Sequence, residues 1–91
     1  MKDSTSFTKI TEYNEIGIIQ NVEYRKNGEM HRNNAPAWIW YWKSGTIERE
    51  IFIKNNEIHR KNGPALIVYC ASGKIKNYTF YENGTEIKDR R

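Results

Sequence analysis

Ninety-one residues suffice for one domain with a thin stability margin, because a chain this short buries only roughly 60–70% of its unfolded surface. Fifteen Lys and Arg against eleven Asp and Glu give a net charge of +4, a mild bias toward anionic partners that a solvated surface also explains. A lone cysteine, Cys70, excludes a disulfide framework; no apolar run approaches the ~20 residues that span a bilayer; and 13% aromatic residues exclude a fully disordered chain.

From the N-terminus onward, short runs of Ile, Tyr, Trp, Phe, Val and Thr alternate with Gly, Asn and Ser clusters, and no segment sustains a helical period. The pattern predicts a first hairpin from residues 8–14 and 18–25 turning at Gly17. A second follows from 37–43 and 47–54 turning at Gly45, and a third from 65–71 and 75–82 turning at Gly73. Asn27-Gly28, Asn55-Asn56 and Asn83-Gly84 are a second set of turn signals. The stretches 31–36 and 59–64 are polar and end in Pro36 and Pro64, so they read as surface connections. Residues 85–91 read as a basic C-terminal tail.

A period underlies these elements. Lys26, Asn27, Glu29, His31, Arg32, Asn34, Pro36, Ala37, Ile39 and Tyr41 recur 28 residues later as Lys54, Asn55, Glu57, His59, Arg60, Asn62, Pro64, Ala65, Ile67 and Tyr69. A fixed period of this size marks one supersecondary unit repeated, each copy stacking on the next to complete its core. The expected fold is all-β: an antiparallel meander of about six strands from three 28-residue hairpin repeats, spanning about 8–26, 27–54 and 55–84 of a single domain, 1–91. If the Gly45 turn is type I with a Gly bulge, Ile39, Tyr41, Ile47 and Ile51 share one face and Trp38, Trp40, Trp42 and Phe52 the other. A two-residue turn would regroup the second strand. Either way both faces are apolar, so the sheet coils or a second copy or partner covers it. The outer strands are open edges, and a homodimer is expected.

Three sets of residues could carry chemistry. His31 and His59 sit one repeat, two strands and about 10 Å apart, too far to share a metal at ~2.0–2.1 Å, so each is expected to pin its own loop. Arg32 and Arg60, with Lys43, Lys54 and Lys61, form a basic rim that could track a phosphate backbone; solvated charge or pairing with Glu29 and Glu57 is the plainer reading. Trp38, Trp40 and Trp42 are the least repeated feature, suited to an interface hot spot or stacking platform, or else to core or dimer packing. Tyr13, Tyr41 and Tyr69 fall at one repeat spacing and read as a ladder within the sheet. Cys70 has no nucleophile context, and neither a phosphate loop nor paired catalytic carboxylates are present.

Residues 27–37 (NGEMHRNNAPA) and 55–65 (NNEIHRKNGPA) resemble the N-G-x-x-H-R-x-x-G-P-A repeat of small phage, large-virus and bacterial proteins, which is similar to the MORN type of β-hairpin repeat. The likeness covers roughly residues 9–84. The second copy lacks only the turn Gly at Asn56, and the first carries Ala35 where the repeat has Gly, so its connecting loop is expected to differ. The resemblance implies a binding or scaffold module, antitoxin-like in some cases. Size, basicity and composition also resemble phage-borne inhibitors of host defence, including anti-CRISPR proteins.

The expected function is therefore non-enzymatic, stoichiometric binding in the cytoplasm, with no cofactor, metal, membrane or small-molecule substrate. The specific expectation is inhibition of a host nucleic-acid-guided nuclease through contact with the ribonucleoprotein or its RNA. A self-associating structural or antitoxin-like module and a direct RNA-binding protein are the alternatives.

Overall fold

Three turns of one geometry set the architecture of the computed structural model, which describes residues 5–88. At each, the glycine N–H donates to the carbonyl three residues back: Gly17 to Asn14 at 3.0 Å, Gly45 to Trp42 at 2.9 Å and Gly73 to Cys70 at 2.9 Å. Gly17, Gly45 and Gly73 stand at φ of 89°, 97° and 97°, a region that a side chain disfavours, so the sequence places glycine there three times. This is the type I turn with a Gly bulge. A second set of turns carries positive φ at both central residues: Asn27 and Gly28 (50° and 85°), Asn55 and Asn56 (50° and 67°), Asn83 and Gly84 (50° and 81°). These are the two-residue turns whose twist matches that of paired strands.

The described residues hold ten strands where six were expected: the second set of turns adds three, and a break at Phe52 splits the second strand of the middle hairpin in two. The strands are β1 (Phe7–Tyr13), β2 (Ile19–Lys26), β3 (Glu29–Met30), β4 (Trp38–Tyr41), β5 (Ile47–Ile51), β6 (Ile53–Lys54), β7 (Glu57–Ile58), β8 (Leu66–Tyr69), β9 (Ile75–Glu82) and β10 (Thr85–Ile87). Each Asn turn doubles the chain back for two or three residues, making β3, β7 and β10, which are too short to show as alternation. The C-terminal segment accordingly opens with β10, and residues 89–91 of the expected tail lie outside the described residues. The fold is all-β, with no helix among the described residues and every strand pair antiparallel. The main sheet runs β1-β2-β4-β5-β8-β9-β10, with β3 beside β2, while β6 and β7 pair separately.

A bulge corrects the expected assignment of faces. Trp40 pairs with Arg49 while Tyr41 pairs with Ile47, which leaves Glu48 as an extra residue; Gln20 and Lys76 are extra at the same point of the other two hairpins. Each bulge inverts the rest of its strand. Ile51 therefore lies opposite Trp38, not on the face of Ile39 and Tyr41. Ile51, Ile53 and Ala37 form the buried cluster, and Met30, Trp38, Trp40, Ile58 and Leu66 pack against it. Phe52, between Ile51 and Ile53, lies beneath the guanidinium of Arg60 instead of beside the indoles.

The result is a thin slab. Its principal extents are 49 × 42 × 16 Å and its radius of gyration is 14.4 Å, against about 12 Å for a compact domain of this length. Val22 and Ile67, on the face opposite Trp38 and Trp40, are nevertheless buried.

On that opposite face, the Tyr69 hydroxyl donates to Glu50 Oε1 at 2.6 Å. Burial, then the hydrogen bond and charge of Glu50, push the Tyr69 phenol up to about 12, partly opposed by Arg60. Because the folded value lies above the unfolded one, this contribution to stability is intact below about pH 10 and is lost as pH rises toward 12. The difference in unfolding free energy between wild type and Tyr69→Phe should be constant from neutral pH to about 10 and then shrink. A difference that stays constant through that alkaline window would contradict the assignment.

Candidate functional site

The two polar connections, 31–36 and 59–64, are built alike. The Arg32 N–H donates to the Ile53 carbonyl, and the Arg60 N–H to that of Tyr81, both at 3.2 Å. Each arginine then folds over its own loop. Arg32 Nη1 donates to the Pro36 carbonyl and Arg60 Nη1 to that of Pro64, both at 3.1 Å. The Arg32 guanidinium carbon sits 3.7 Å from the centre of the Tyr24 ring, and that of Arg60 lies 4.0 Å from the Phe52 ring. Such contacts hold a cation over an aromatic face without neutralising it. No ion pair joins Glu29 or Glu57 to these arginines.

The loops differ where the sequence departs from the repeat. The second takes its positive φ at Gly63 (143°), where an added Cβ would meet the Arg60 guanidinium at 3.0 Å; the first takes it one residue earlier, at Asn34 (60°), and tolerates Ala35.

Between the loops opens a cleft of about 380 Å³ lined by Arg32, Asn33, Asn34, Phe52, Lys54, His59, Arg60, Lys61 and Asn62. Four of the five predicted rim cations converge there, with no carboxylate in the lining. Arg32 also lines a neighbouring hollow of about 290 Å³ beside Lys9 and Arg25, over the rings of Phe7 and Tyr24. The two hollows make a basic track along the loop side of the sheet. Each arginine gives one N–H to its own loop, so most of its five donors stay available. The predicted fifth cation, Lys43, stands at the far end of β4, beside the Gly45 turn, with Glu15 and Gln20.

Each histidine anchors its loop to a turn further along the chain. His31 Nδ1 accepts the Asn55 N–H at 3.1 Å, and His59 Nδ1 accepts the Asn83 N–H at 2.9 Å. Each therefore ties its loop to the Asn turn of the following unit. With Nδ1 occupied as an acceptor, the ring proton belongs on Nε2. His31 is 6% exposed. No group of His, Cys, Asp or Glu among the described residues is arranged to hold a metal ion.

The indoles are divided. Trp38 and Trp40 are half-buried with ring centroids 5.4 Å apart. Trp38 Nε1 donates to Asn21 Oδ1 at 3.1 Å, and Asn21 Nδ2 donates to Glu12 Oε1 at 2.7 Å. Asn21 is only 2% exposed, so this chain satisfies a buried amide. Trp42 is half-buried near the Gly45 turn, and its Nε1 is buried without a hydrogen-bond partner. Cys70 is free and half-buried.

What the site can do chemically is hold an anion by charge and by N–H donors. Lys9 and Arg25 join it without having been singled out in the sequence, and His59, expected there only as a loop residue, lines the cleft as well. His59 enters because the inter-unit tie leaves one side of its ring on the cleft, which no residue spacing announces. The chain matches no protein-family model, no curated protein and no solved structure.

Proposed function

We propose that this protein acts without catalysis, by stoichiometric binding, and that the cleft between its polar loops takes the phosphate backbone of a single-stranded nucleic acid. One observation carries the reading: Arg32, Lys54, Arg60 and Lys61 line one cleft that no carboxylate shares. Side chains spaced along a groove, with an aromatic floor at Phe52, are what backbone-tracking proteins use. The likeness to phage-borne inhibitors gives the reading its sharper form, in which the RNA of a host nucleic-acid-guided nuclease is the ligand and its occupation blocks the enzyme.

Fluorescence anisotropy with a labelled single-stranded RNA tests the binding step. Four phosphate contacts give a slope of about −3 in log K against log salt, from roughly −0.7 per contact on a single strand. Lys54 and Lys61 are exposed, so reversing them disturbs the fold little. Lys54→Glu with Lys61→Glu should lower RNA affinity by at least tenfold and flatten the salt slope. A steep slope that persists in the double variant would place the contact elsewhere, and undetectable binding by the wild type would end the RNA reading.

A further inference from the structure

The ends of the sheet carry an inference separate from the ligand of the cleft. The seams between successive hairpins follow one register. β2 meets β4 with Asn21 opposite Trp40, Val22 opposite Ile39 and Glu23 opposite Trp38. β5 meets β8 with Arg49 opposite Val68, Glu50 opposite Ile67 and Ile51 opposite Leu66. In the 28-residue frame β9 is the next strand of the β2 and β5 kind, and β1 is the preceding strand of the β4 and β8 kind.

β9 reaches β10 only through Phe80, Tyr81 and Glu82, so Asn77, Tyr78 and Thr79 have no strand beyond them among the described residues. β1 lies at the other edge, paired with β2 alone.

Burial shows what these edges lack. Val22 is 4% exposed inside the sheet, whereas Tyr78, at the same place in its unit, is 56% exposed. Asn21 is buried and its counterpart Asn77 is exposed. The large apolar side chains left exposed are Phe7, Ile10, Tyr13, Ile16, Ile19, Ile75 and Tyr78, and every one lies in the first hairpin or on β9. The charges are also complementary. Glu12 and Glu15 stand at the turn end of β1, and Lys74 and Lys76 stand at the turn end of β9. The shared register brings those two ends together.

We propose that the partner of the β9 edge is the β1 edge of a second copy of this chain, joined antiparallel in the register of the internal seams. Asn77 then lies opposite Glu12, Tyr78 opposite Thr11 and Thr79 opposite Ile10 of that copy. The joint uses two different edges, so each added copy presents a fresh β9, and association continues past the dimer. It differs from a symmetric dimer, which would pair β1 with β1 or β9 with β9.

Analytical ultracentrifugation of the wild type and two edge variants, Tyr78→Lys and Thr11→Lys, separates these arrangements, since a lysine is how natural sheets blunt an edge. At low salt the wild type should grow beyond twice the mass of one chain as concentration rises. Each variant alone should stay at the mass of one chain. Their equimolar mixture should form a one-to-one dimer and stop, because each supplies the edge the other has lost. A monomeric wild type overturns the proposal, as does either variant dimerising alone or a mixture that fails to associate. If a lysine variant does not fold, Lys76→Glu and Glu15→Lys carry the test. Each alone should weaken growth, and the charge-swapped double variant should restore it; failure to restore overturns the joint.

Discussion

Trp38→Ala should lower the unfolding free energy by about 3 kcal/mol, a large share of what a domain this size has. Two losses combine. The indole packs against the cluster of Ala37, Ile51 and Ile53, which forms only because the Glu48 bulge brings Ile51 opposite Trp38. Its Nε1 also supplies the donor to Asn21 Oδ1, an acceptor that alanine would leave buried and unpaired. Trp42→Phe is the control. The Trp42 Nε1 has no acceptor, so removing it gives up no hydrogen bond, and the change should stay within about 1 kcal/mol. Urea unfolding followed by far-UV circular dichroism reads both, independently of indole fluorescence. Equal losses at the two positions would mean that the three indoles act as one packed row, against the division seen in the sheet.

That division shows which parts of the molecule the sequence made legible. The 28-residue recurrence and Gly17, Gly45 and Gly73 disclosed the turns, because positive φ leaves a chemical mark: glycine is the residue that adopts it without strain. The bulges left none. Their positions hold Gln20, Glu48 and Lys76, three residues with nothing in common beyond polarity, so the inversion of each strand after its turn was invisible. The faces were misassigned from that point, and Ile51 with them. The Asn turns were legible as turns but not as hairpins, since the returning strands β3 and β7 are two residues long and too short to alternate.

At the candidate site, Arg32, Arg60, Lys54 and Lys61 were legible because each lies in or beside a loop of the same register, and loops of one register line up on one side of a sheet. Lys43 was grouped with them by charge alone, and the length of β4 separates it from them. Lys9 and Arg25 belong to strands whose side chains reach the neighbouring hollow, a placement that depends on facing and so on the unseen bulge.

His31→Ala should cost about 2–3 kcal/mol, and the loss should be local in a way that identifies its cause. The imidazole is buried, so its removal leaves a cavity, and the Asn55 N–H loses its acceptor. Asn55 opens the turn between β6 and β7, and the adjacent Asn56 is bound to Met30 twice, through its backbone N–H to the Met30 carbonyl and through its Oδ1 from the Met30 N–H. His31 thus completes a three-bond tie between the loop of one unit and the turn of the next. An asparagine at 31 can place its amide oxygen near the position of Nδ1, so His31→Asn should recover at least half of the loss, which a purely volumetric role for the ring would not allow. His59→Ala should cost less, about 1 kcal/mol, because its bond to Asn83 is exposed. Amide hydrogen exchange separates the two ties. In His31→Ala the Asn55 amide should exchange faster by more than the global loss of stability requires, while the Asn83 amide follows the global loss alone. Equal acceleration at both amides would mean that the ring serves only as core volume, and the recurring His-Arg pair would then have no part in joining one unit to the next.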